Sequence, residues 1–68
     1  MNKHESPLTE VVVRLTGANG NAFNLIGITR EALRQGGYSE LIAEFTREAT
    51  SGDYSNVIQT IMRYCHVE

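Results

Sequence analysis

The sequence predicts a small α+β domain of β-α-α-α-β order, with three short helices packed on a two-stranded sheet. Three observations lead there. A β-branched run, "EVVVRLT" at 10–16, alternates Val11, Val13 and Leu15 against Val12, Arg14 and Thr16, the period of a strand with one apolar face. Three later stretches repeat apolar residues at helical spacing, separated by glycine and cap-forming residues. A lone strand would leave both edges unpaired, and the β-forming residues left over, Tyr64 and Val67, lie in the closing "YCHVE".

Residues 1–9 read as a flexible lead-in, with Pro7 discouraging helix at Ser6, and residues 10–68 as the single domain. After the strand comes "GANGNAF", 17–23, where Gly17, Gly20 and Asn19 suit backbone angles with φ > 0. Asn21 is the N-cap of a first helix whose buried stripe is Ala22, Leu25, Ile26, Thr29, Ala32 and Leu33, and Gly36–Gly37 stop it. Asn19-Gly20 is also a hairpin signal that would make 22–28 a strand, but "AFNLIG" alternates poorly. The second helix lies within 38–52, capped by Ser39, with Leu41, Ile42, Phe45 and Ala49 inward and Gly52 at its end. Asp53 caps a third, with Tyr54, Val57, Ile58, Ile61, Met62 and Cys65 as its apolar stripe. The tail 64–68 reads either as the end of that helix or as the second strand. Two strands make a thin sheet, so strand pairing across a two-fold axis, and hence a homodimer, is expected.

Length and composition narrow the function. A chain of 68 residues makes one marginally stable domain. One cysteine permits no internal disulfide and fits a reducing, cytoplasmic compartment. No apolar run is long enough for a membrane span, and "MNKHESPLTE" lacks the apolar core of a signal peptide. The net charge of −2, with 6 basic residues dispersed among 8 acidic ones, argues against sequence-independent nucleic-acid binding, which depends on releasing several counterions.

The stretches "VVVRLTGANGNAFNLIG", "EALRQGG", "EFTREATSGDY" and "MRYCHVE" carry a resemblance. Over residues 11–68 the chain resembles a group of small proteins found among bacterial, plasmid and phage genomes. Their shared pattern is strand, G-x-x-G-N-A-F, helix, E-F-x-x-E-A-x-S-G-D-Y, helix. The group has no established activity, so the resemblance implies a fold and a mobile-element origin and carries over no catalytic residue.

Sites for chemistry are few. A strand feeding a glycine loop and a helix N-terminus is a place where anions bind, but neither G-x-G-x-x-G nor G-x-x-x-x-G-K-[ST] is present and no lysine follows the loop. Its G-x-x-G spacing matches the backbone clamp of KH domains, yet here the loop follows a strand and carries no basic residue. Helices two and three could form a helix-turn-helix whose reader presents Ser55, Asn56, Gln59 and Arg63, but Asp53, Glu40, Glu44 and Glu48 give it the wrong sign. Glu44 and Glu48 lie one turn apart without an accompanying histidine, and Cys65, His66 and Glu68 make an incomplete zinc set. His4 and His66 stand alone near the two ends of the sequence. No catalytic residue, metal ligand or cofactor site is nominated, and the expectation is a protein that is not an enzyme.

One residue resists a purely structural explanation. Phe23 falls off the first helix's buried stripe and shares a face with Gly27, Arg30 and Arg34. Either the ring folds back, over the strand or under the lead-in with Leu8, or it belongs to an interaction patch, whose composition favours aromatics and arginine. The expected role is a non-enzymatic interaction or accessory protein, acting through that patch or through the edge of strand one. The alternative is a weak nucleic-acid-binding accessory using the third helix and the scattered arginines.

Overall fold

The structure, a computed structural model, describes residues 6–68. Its order is β1 (Val12–Val13), α1 (Ala22–Gln35), α2 (Ile42–Ala49), α3 (Tyr54–Tyr64) and β2 (His66–Val67), the expected α+β arrangement. A three-residue 3-10 turn, Ser39–Leu41, leads into α2. Residues 22–28 belong to α1, so the hairpin alternative is resolved in favour of the helix.

The two strands run parallel, with Val12 opposite His66 and Val13 opposite Val67. Parallel neighbours need a long crossover, here supplied by all three helices. The 10–16 run contracts to Val12–Val13 because β2 begins only after the last turn of α3 and offers His66–Glu68 as partners. Hydrogen bonding nevertheless extends beyond the paired residues. Leu8 and Thr9 N–H donate to the Arg63 and Tyr64 carbonyls, and Leu15 N–H donates to the Glu68 carbonyl at 2.9 Å. The Thr9 hydroxyl adds a second bond to the Tyr64 carbonyl at 2.8 Å. The end of the expected flexible lead-in is therefore tied to the C-terminus of α3, while residues 1–5 lie outside the described residues.

Each helix start and stop has a local cause. Asn21 accepts a bond from Phe23 N–H and Asp53 one from Asn56 N–H, capping α1 and α3 as expected. Gly37, at φ +93°, takes the left-handed conformation that turns the chain out of α1. Gly36 matters for space instead, since a Cβ there would sit 2.8 Å from Val11 Cγ2. The helix end and the strand approach each other through its missing side chain. Ser39 does not cap α2. The chain enters through the 3-10 turn, with Leu41 N–H donating to the Tyr38 carbonyl, and the serine side chain caps nothing. Gly52 likewise supplies room, because a Cβ would press on Asn56 at 3.0 Å.

The core joins Val13, Leu25, Ile26, Leu33, Phe45, Ala49, Val57, Ile61, Tyr64 and Cys65. Phe45 and Tyr64 meet edge to face at 5.4 Å between ring centroids, an arrangement that adds about 0.5–1.5 kcal/mol beyond the area buried. Buried Thr29 donates its hydroxyl to the Leu25 carbonyl, so no polar penalty remains there. The stripe of α3 keeps Val57, Ile61 and Cys65 of the expected one, with Ile58 partly buried, and shifts toward Thr60 and Tyr64. Val57, Thr60, Ile61 and Tyr64 face inward, whereas Met62 and Tyr54 are exposed. Tyr64 displaces Met62 because its ring packs on Phe45 while its hydroxyl reaches Glu44 at 3.0 Å.

Candidate functional site

The two sequence motifs meet at one end of the helix layer. In "GANGNAF", Asn19 Oδ1 accepts from Asn21 N–H at 2.9 Å and Asn21 Oδ1 from Phe23 N–H at 2.8 Å. Asn24 Nδ2 donates back to the Asn19 carbonyl at 3.0 Å. Two amides at the start of α1 are thus satisfied by the loop's own side chains, which makes the loop a cap. Only Gly17, at φ +82°, needs the left-handed region; Gly20 does not adopt it. From the other motif, Tyr54 donates its hydroxyl to the Gly20 carbonyl at 2.7 Å, locking the loop to the first residue of α3.

This lock frames a groove of about 260 Å³. Ala22, Phe23 and Ile26 of α1 form one wall; Ala49, Asp53, Tyr54 and Val57 contribute the end of α2 and the start of α3. Phe23 stands at its rim, 80 % exposed. It neither folds over the strand nor lies beneath Leu8, itself 61 % exposed, so the folded-back alternative does not hold.

Further along α1 a second depression, about 220 Å³, is lined by Gly27, Arg30, Glu31, Arg34 and Ile42. The candidate patch of Phe23, Gly27, Arg30 and Arg34 is exposed throughout and joins the two hollows. Glu31 fixes Arg34, accepting its Nε at 3.1 Å, and also accepts Gln35 Nε2 at 2.7 Å. These bonds hold the Glu31 carboxyl below its usual range and raise the Arg34 guanidinium above its own. Among the described residues Arg30 enters no ion pair, so its charge faces solvent.

The other candidates are engaged in holding the fold. Asn56 donates Nδ2 to the Glu48 carbonyl at 2.8 Å, Gln59 reaches Ser55, and Arg63 pairs with Glu48 at 3.3 Å. Of the reader face, Asn56 is tied to the α2 backbone, while Ser55, Gln59 and Arg63 stay exposed. Glu44 accepts the Tyr64 hydroxyl. Cys65 is buried, and burial pushes its thiol up, away from the reactive thiolate. Glu68 pairs with Arg14 at 3.5 Å. Among the described residues no group of three His, Cys, Asp or Glu could hold a metal ion, and no helix is long and apolar enough to cross a membrane. His4 lies outside the described residues. The edge of strand one is short: Val11, Val13 and Leu15 point their backbone bonds to β2, leaving Val12 and Arg14 toward the other side.

Tyr54 and Asp53 are groove residues that sequence reasoning placed elsewhere, one in a buried stripe and one as a cap alone. The signal that could have found Tyr54 was its position one turn before Ile58, beside a glycine motif needing an anchor. Compared with protein-family models, curated proteins and solved structures, the chain has no match.

Proposed function

We propose that this chain is a non-enzymatic interaction or accessory protein working through the α1 face of Phe23, Gly27, Arg30 and Arg34 and the groove beside it. One observation carries the reading: a phenylalanine ring is held in solvent at the rim of an apolar groove. Leaving such a ring exposed forgoes about 1.5–3 kcal/mol of burial, which a partner recovers. The ring is also preorganised, since Asn19, Asn21 and Tyr54 fix the helix start that bears it. Rigid aromatic anchors beside arginine are the composition of interface hot spots. The resemblance to mobile-element proteins fits an accessory role, and the single free thiol of Cys65 fits a cytoplasmic one.

The immobilised chain and its Phe23→Ala variant test this by differential capture. A partner held by the native chain and lost by a folded variant supports the reading. A variant unfolded by circular dichroism places Phe23 in the core and ends it. The nucleic-acid alternative has less support, because Asn56 is tied to the Glu48 carbonyl and the Arg63 charge is paired with the Glu48 carboxylate. Titration with labelled DNA and RNA at low salt, then at roughly 200 mM, tests it: binding that collapses with salt would revive it.

A further inference from the structure

We infer that the partner this face fits is a second copy of the chain, docked with its α1 antiparallel across the first. This rests on the proposed role of the Phe23 face and names its occupant. Phe23, Gly27, Arg30 and Arg34 follow one another at spacings of four, three and four, an order that reads the same from either end. A two-fold axis crossing α1 between Gly27 and Arg30 therefore sets Phe23 of each copy on Arg34 of the other. The same axis sets Arg30 over the bare backbone of Gly27 in the other copy. Every contact is made twice, as a self-complementary interface requires.

Three observations favour this occupant over a foreign one. The first is charge. The groove at the N-terminal half of α1 holds Asp53 as its charged residue, whereas the hollow at the C-terminal half holds Arg30, Arg34 and Glu31, with Glu31 paired to Arg34 and one positive charge left over. An antiparallel copy lays the acidic end on the basic end at both sites. Arg30, without an ion pair among the described residues, then points along the second helix toward Asp53 of that copy. The second is Gly27. Glycine disfavours a helix interior, yet among the described residues nothing lies within 4 Å of a Cβ built there, so their packing has no use for it. A close helix crossing does. The third is the pairing of aromatic and cation: Glu31 holds Arg34 in place, and the two-fold axis would bring its guanidinium to the face of the other copy's Phe23.

The stripe spans twelve residues from Phe23 to Arg34, about 16 Å of helix, so the interface is small and its assembly depends on concentration. The test mixes nitrogen-15-labelled chain with unlabelled chain carrying Gln35→Cys and a maleimide spin label; buried Cys65 is shielded from the reagent. The expected result is broadening strongest at the Ala22–Asn24 amides of the labelled copy. Phe23→Ala, folded by circular dichroism, should weaken association at least about tenfold. Broadening centred on Val11–Thr16 would overturn the inference in favour of strand-edge pairing. A mixture that stays monomeric, with no broadening, overturns it too, while leaving a foreign partner for the same face to the capture experiment.

Discussion

Phe23 and Phe45 are the chain's two phenylalanines, one 80 % exposed and the other fully buried. The same substitution should separate them. Phe45→Ala removes the ring packed on Tyr64 and is expected to cost about 3–5 kcal/mol, enough to unfold a chain of this size. Phe23→Ala should change stability by no more than about 0.5 kcal/mol; denaturant midpoints check both. Helical spacing marked Phe23 as off-stripe in the sequence, but only the structure shows what stands beside it, because Tyr54 and Asp53 arrive from a different part of the chain. Tyr64 carries a second prediction. Burial and the bond to Glu44 push its hydroxyl well above the usual tyrosine range, and burial likewise raises Cys65. Both groups keep their protons in the folded state after the unfolded chain begins to lose them. Their contribution is intact below the unfolded pKa values, about 8.5 for Cys and 10 for Tyr, and is lost as pH rises. Stability should therefore fall above about pH 8.5 and more steeply past about 10. Tyr64→Phe should flatten the second part while costing about 1 kcal/mol at neutral pH.

At the scale of elements, caps were readable because their cause is local. Asn21 and Asp53 accept amides two and three residues away, so residue type and position sufficed. Asn21→Ala should cost about 1 kcal/mol by thermal or denaturant melting and loosen the turn that carries Phe23. Ser39 failed as a cap because Tyr38 diverts the chain into a 3-10 turn, and serine is compatible with either. The α3 face was misjudged since apolar periodicity alone cannot rank Met62 against Tyr64. The contest is decided by Phe45 and Glu44, both contributed by α2. The glycines separate by the same logic. Gly37→Ala should destabilise by about 1 kcal/mol because its φ of +93° suits glycine. Gly27→Ala, in open helix, should stabilise the monomer by up to about 1 kcal/mol and weaken self-association. Both changes are read in one denaturant series at low and high protein concentration.

For the whole molecule, the β-α-α-α-β order followed from one strand's need for a partner, which is a physical demand on the backbone and not a motif. Parallel pairing and its register did not follow, because they depend on how three helices bring His66 back beside Val12. The strand's brevity has the same origin, and it changes where assembly is expected. An edge offering Val12 and Arg14 is a poor template for sheet extension, whereas the α1 face offers a ring, an open glycine and two arginines in one stripe. Sedimentation of the native chain and Phe23→Ala over a concentration series tests that claim most directly. The native chain should shift from monomer to dimer with rising concentration while the variant remains monomeric; a native chain that stays monomeric throughout, or a variant that dimerises equally well, would contradict it.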